Sequence, residues 1–477
     1  MHVRRCTVAL LAATVLAGSA AAPTASAAVT PPRTVSGAGL SVQHFALAMN
    51  PSGERSAVAY EGLVRGSRGR RTQLFARVGR SRSLGPRQEL DELRSGPGVR
   101  AQGAISDVRI AVAPDGAVVV AWVVTTVERR NGPVQRSVRY AGAPANGRFG
   151  RAQTALQPPR NSTVGLAGLV TGRGGLAVVL LERGNRVEVL VRRGARARFA
   201  KPQRIGGGTA FEAPPSLALS PGGVVVAAWT EQRDTTAHAA VLRRSGRRFG
   251  TARMVSPARE PTAFGRAVAG PGGAGVAWKL SASPSRLTRF ARLRSATGTF
   301  APAVTVADDN LSGAPHVALP RLGIGTAWRQ YEVVTEPGDN DFLRNSRLFA
   351  TASWLAGAGR KSLSQLPALA LRPALAALSD RALIAWEEAP AYEDSPRVRL
   401  AVAGPDGWEP TATLAPVGPV SPRTRPETSI LGDERPGGAD LAIAAGHRDA
   451  LLAFLTFTQT EGDDGLVGAL HVAGYRP

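Results

Sequence analysis

One recurring pattern restricts the fold of this chain more than any other feature. VRIAVAPDGAVVVAW (Val108 to Trp122), PSLALSPGGVVVAAW (Pro215 to Trp229), GRAVAGPGGAGVAW (Gly265 to Trp278), PHVALPRLGIGTAW (Pro315 to Trp328) and PALAALSDRALIAW (Pro373 to Trp386) are versions of one motif. Weaker copies end at Tyr60, Leu180 and Phe454. The eight landmarks follow one another at intervals of 49 to 68 residues, a period that signals a repeat architecture. Each copy alternates small and apolar residues, turns on Pro, Gly or Asp, and closes with a β-branched run and an aromatic. This is the pattern of a hairpin.

A third apolar stretch follows each hairpin, and an aromatic then opens a fourth: Phe149, Phe199, Phe249, Phe300 and Trp408. Four short antiparallel strands repeated eight times predict an all-β, eight-bladed propeller, whose radial closure leaves few free sheet edges. The weak Leu180 unit leaves seven blades as the alternative. At the end of the chain Tyr475 and Pro477 are read as the opening of a fourth strand that is not there. PPRTVSG, from Pro31, lines up with APAVTVADD, from Ala301, so the N-terminal strand is expected to complete the last blade.

The Pro-x-Gly turn at Pro114 to Gly116 and the closing Val120-Ala121-Trp122 carry a resemblance to secreted bacterial β-propeller repeat proteins. It covers nearly all of residues 28–477 and implies a fold alone. Three better-known propeller signatures are missing. The sialidase Asp-box places Trp three residues after Gly, whereas Gly116 and Trp122 are six apart. The Gly-His and Trp-Asp pairs of WD40-like repeats and the docking motif of quinoprotein dehydrogenases are absent.

The first 27 residues combine Arg4 and Arg5, an apolar stretch from Thr7, and small residues at Ala25 and Ala27, the order of a secretory signal peptide. The expected division is therefore a signal peptide over 1–27 and a propeller over 28–477, exported to the periplasm or the medium. No later stretch offers the ~20 apolar residues of a membrane span. The one cysteine, Cys6, precedes the apolar stretch, so the mature chain has no disulfide or thiolate chemistry. Removing the leader would lower the net charge from +24 to +22, still strongly basic.

Propeller geometry converts the repeat into two rings. The first strand begins on the face where the second ends, so the opening residues His44, Arg109, Gly165, Ser216, Arg266, His316, Ala374 and Asp440 share a rim with Glu61, Glu182, Glu231, Lys279, Arg329 and Glu387. Long inserts, 330–345 and 387–396, fall on that face. The candidate ligand-binding set is His44, Arg109, Arg266, His316, Asp440, Glu61, Lys279, Arg329 and Glu387. The opposite face receives RRGARAR (Arg192 to Arg198) and RRSGRR (Arg243 to Arg248). The six histidines show no paired spacing, and GDNDF and EGDDG lack a calcium-loop pattern, so no metal and no cofactor is expected.

With no catalytic constellation in view, the leading reading is a non-enzymatic, monomeric binding protein for a protein or glycan at the channel mouth. A glycoside hydrolase or polyanion lyase would instead draw on Glu61, Glu231, Glu387, His44, His316 and Asp440. A third reading is charge-driven adhesion to anionic polymers. Five of the seven tryptophans occupy the repeat landmark and read as core; Trp354 lies off it.

Overall fold

The computed structural model describes residues 28–37, 40–66, 69–95, 102–127, 132–209, 214–258, 260–280, 286–294, 297–309, 316–334, 342–355, 361–364, 369–389, 397–409, 411–416, 441–459 and 466–477. These form eight antiparallel sheets, with strands side by side in chain order except that the eighth takes its outer strands from the N-terminal segment. Blades 1 to 8 span 41–95, 102–156, 165–206, 216–254, 262–309, 316–362, 369–416 and 441–476. First strands of successive blades lie against one another. The last, Leu441–Ala445, lies beside the first, Ser41–Met49, so the wheel is closed.

Closure uses the N-terminal strand, as the repeat alignment predicts. Ala28 and Val29 pair with Arg476 and Tyr475, and Arg33 and Thr34 pair with Val472 and His471. In blades 1, 5 and 7 the fourth strand is likewise split into two short pieces. Pro302 stands in the gap of blade 5, and Pro31 and Pro32 stand in the gap of blade 8; a proline has no N–H to give the ladder. Thr34 faces His471 as Thr305 faces Arg289 in blade 5 and Thr413 faces Arg399 in blade 7. Tyr475, however, does not open a fourth strand. It lies in the third strand, Leu466–Arg476, opposite Ala450, and Val29 takes the place that Phe300 holds in blade 5.

The core sits between blades, not within them. Trp122, Trp229, Trp278 and Trp386 are fully buried and Trp328 is 4% exposed; each packs on the preceding blade. Small residues in the facing strands, such as Ala57, Ala59 and Ala76 against Trp122, leave room for the large ring. Alternation along a strand sends the next side chain to the opposite face, towards the following blade. Trp354 also serves packing: its indole N–H donates to the Gly404 carbonyl in blade 7 at 3.0 Å.

Hairpin turns set the register of the second strand. Gly116, Gly175 and Gly223 have φ of +85°, +75° and +81°, the left-handed region where a side chain is costly. Trp122 and Trp229 each come six residues after such a glycine, and so does Leu181. The blade 3 landmark is accordingly Leu181, not Leu180: Leu181 packs with blade 2 and Leu180 with blade 4. With that unit restored to phase, blade 3 is a complete four-stranded sheet and the count is eight.

Candidate functional site

Antiparallel register brings the start of each first strand and the end of each second strand to one rim. Ser41 faces Leu63, Gly165 faces Glu182, Thr262 faces Leu280 and Leu369 faces Ala389. Near that rim the first strands of blades 1, 2, 3, 5 and 7 carry a β-bulge, between residues 42/44, 106/109, 166/168, 263/266 and 371/374. Bulges re-aim side chains and concentrate beside functional sites. Two of them hold a non-glycine residue in the left-handed region, Asp107 at φ +51° and Phe264 at φ +56°.

The residue after each landmark stands at this rim, and Val123, Thr230 and Leu455 contact the following blade. In chain order the residues at this position are Glu61, Val123, Glu182, Thr230, Lys279, Arg329, Glu387 and Leu455. Glu61, Lys279 and Glu387 are 8%, 4% and 5% exposed, and Val123, Thr230 and Leu455 are buried as well. His44 stands directly across the ladder from Glu61. Glu182 accepts a hydrogen bond from the Thr209 hydroxyl in the linker to blade 4. Arg329 pairs through its backbone with Leu348. Burying ionised groups is expensive unless they are paired, and Glu61, Lys279 and Glu387 all make polar or electrostatic contacts.

Other predicted residues tie blades together. The Arg109 guanidinium donates to the Ala167 carbonyl of blade 3 at 3.3 Å and to the Val108 carbonyl at 3.0 Å. Asp107 beside it accepts the Leu166 N–H at 3.2 Å. Burial raises the Asp107 carboxyl above the usual carboxylate range, with the Arg109 charge pulling the other way, and burial lowers Arg109. Ser216 accepts the Ala267 N–H at 2.7 Å and Thr230 accepts the Gly265 N–H at 2.8 Å, fixing the bulge of blade 5. Arg266 and His316 lie at the equivalent first-strand positions, opposite Ala277 and Ala327. Asp440 and the insert segments 335–341 and 390–396 lie outside the described residues, as do residues 1–27.

Glu231 belongs to a different layer. It is two residues past Trp229, so it shares that residue's face, and its carboxylate accepts the Trp229 indole N–H at 3.1 Å and the Gly207 N–H at 3.3 Å. Glu388 does the same for Trp386 at 3.3 Å while pairing with Arg399 at 3.2 Å. Asp91 of blade 1 serves Trp122 at 2.9 Å and also holds Arg139 at 2.9 Å. The repeat does not mark Asp107 or Asp91; the acid two residues beyond a landmark tryptophan is the signal that finds Glu388. Among the described residues no group of three His, Cys, Asp or Glu is placed to hold a metal ion. No helix among them is long and apolar enough to cross a membrane.

No family model and no curated protein matches this chain. Solved structures do. One from a study of two prolyl endopeptidases is similar over 87% of this chain and 53% of its own length, with 16% identity and a TM-score of 0.44. The present chain therefore spans about half of that protein. The polysaccharide lyase Uly1 is similar over 82% of this chain and 92% of its own, at 9% identity and a TM-score of 0.45. The Dos1 propeller is similar over 75% and 92%, at 10% identity and a TM-score of 0.39. These likenesses are of fold, and the wheel itself rests on the strand pairing of this chain.

Proposed function

We propose that residues 1–27 are a cleaved export signal and that residues 28–477 form a monomeric, non-enzymatic propeller that binds a protein or glycan at the channel-mouth rim. One observation carries this reading: the repeat contains its own control. At the position after the landmark the same wheel accepts Val123 and Leu455, both 1% exposed. Packing therefore does not require a charge there, yet Glu61, Lys279 and Glu387 occupy the equivalent places and Glu182 a fourth. Charge is costly in such a setting and is retained where a partner uses it.

The chemistry suits a polar, hydroxyl-rich ligand. Carboxylates accept from hydroxyl groups and Lys279 donates to ring and carbonyl oxygens, so donors and acceptors are mixed around one rim. Arg109 and Ser216 frame it by locking neighbouring blades together. The test is a glycan and polysaccharide binding screen on purified 28–477, alongside Glu61→Gln and Glu387→Gln. The expected result is a hit that both substitutions weaken, with no turnover of aryl glycosides or uronate polymers. Reducing sugars or unsaturated uronates released by the wild-type protein would refute the non-enzymatic reading.

A further inference from the structure

The other face carries an asymmetry that the mouth site does not use. There the hairpin turns and the turns between third and fourth strands meet. In blades 7, 8 and 1 these turns mix signs: Arg381 pairs with Glu409, and Arg476 pairs with Asp449 at 2.7 Å. In blades 2 to 5 the described turn segments 113–117, 144–152, 172–176, 193–202, 220–224, 243–252, 270–273 and 297–303 contain one acid, Asp115. Arg148, Arg196, Arg198, Arg247, Arg248 and Arg294 are exposed on four consecutive blades.

These arginines are presented from a stitched frame. Arg193 of blade 3 reaches into blade 4 and donates to the carbonyls of Arg244 at 2.9 Å, Arg243 at 3.4 Å and Gly246. Arg243 in turn donates to the Thr297 carbonyl of blade 5 at 3.4 Å. Like charges held this close repel, and an anion lying across them relieves that repulsion.

We propose that this arc docks an acidic polysaccharide. Three observations choose that occupant among polyanions. First, the aromatics of these turns face inward: Phe249 is 4% exposed, and Phe199 stands edge-on to Tyr140 at 4.9 Å, so no ring is offered to a nucleobase. Second, the exposed large hydrophobic residues, Met254, Val304 and Leu322, all lie outside these turns, so nothing there inserts into a lipid layer. Third, the charges follow a curve from blade to blade, which a flexible glycan follows and a rigid duplex does not. Guanidinium groups match carboxylate and sulfate geometry by paired hydrogen bonds.

The experiment titrates intact 28–477 with polygalacturonate, with a DNA duplex and with anionic vesicles, over a salt series. Two variants of equal charge are compared: Arg196→Gln, Arg198→Gln, Arg247→Gln and Arg248→Gln together, and Arg186→Gln, Arg204→Gln, Arg233→Gln and Arg253→Gln together as exposed controls off this arc. Polygalacturonate is expected to bind most tightly, with salt weakening it. The first variant is expected to lose about tenfold in affinity at low salt, several exposed ion pairs acting together, and the second less than twofold. Equal loss in both variants would reduce the effect to net charge and overturn the proposal. So would tighter binding of the duplex or the vesicles. Circular dichroism of both variants keeps a folding defect from imitating a binding one.

Discussion

A disulfide across the ring closure tests the wheel with a sizeable effect. Thr34 and His471 are cross-strand partners, and the Thr34 hydroxyl lies 3.2 Å from the His471 Nδ1, so cysteines at 34 and 471 point at each other. Cross-strand pairs bring Cα atoms to about 4.5–5.5 Å, within disulfide range. Cys6 lies in the segment read as the leader, so the variant beginning at Ala28 has no competing thiol. The bridge closes a loop of nearly the whole chain. The chain-entropy model gives about 6 kcal/mol for a loop that long, and engineered bridges deliver from 0 to about 5. Oxidised and reduced forms of one variant are compared, so the loss of the Phe454–His471 stack, at 5.5 Å, cancels. The assay is guanidinium denaturation of both forms, with thiol counting and mass spectrometry for the bridge. Thiols that remain free in the folded protein would refute the closure.

Further substitutions probe the same scaffold. Gly175→Ala places a Cβ 2.2 Å from the Ala195 nitrogen at φ +75°, whereas Gly174→Ala at φ +68° meets nothing within 4 Å. Denaturation is expected to show a loss of more than about 3 kcal/mol for the first and about 1 kcal/mol for the second. Glu231→Ala strips the Trp229 indole of its acceptor and is expected to cost about 1–3 kcal/mol in thermal unfolding while leaving ligand binding unchanged. Burial holds the His471 imidazole below its ordinary value. The unfolded chain then takes up the proton first, so stability falls as pH drops from about 6.5 towards the lowered native value, and His471→Gln flattens that limb of a stability-pH curve. Asp449, held low chiefly by its hydrogen bond from Arg476, adds a second loss as pH falls through the carboxylate range.

Much of this architecture is legible in short-range chemistry. Prolines, turn glycines and the closing tryptophan report local backbone needs, so eight units and the completion of the last blade by the N-terminal segment emerge from the residues alone. Parity is harder to see. Leu180 and Leu181 are equally apolar, and only the six-residue count from Gly175 shows which faces the preceding blade. Parity also separates Glu231, which serves Trp229, from Glu182, one step after its landmark. Bulges are less visible still. Asp107 and Phe264 adopt the left-handed region because first and second strands fall out of step there, and that mismatch depends on pairing between distant residues. Tyr475 is ambiguous for a related reason: an aromatic near the end of a strand has the same local pattern as one that opens the next.

The central claim is that charge at the residue after the landmark serves a ligand at the channel mouth. Replacing Glu61, Lys279 and Glu387 together with leucine, on the precedent of Leu455, measures this in one protein. Leucine removes one side only of the contacts these three groups make, so a loss of about 3 kcal/mol or more in stability is expected in any case, and binding is the readout that decides. A triple variant that still folds, by circular dichroism, with ligand binding abolished is the result the account predicts. Binding that survives in the folded triple variant would contradict it.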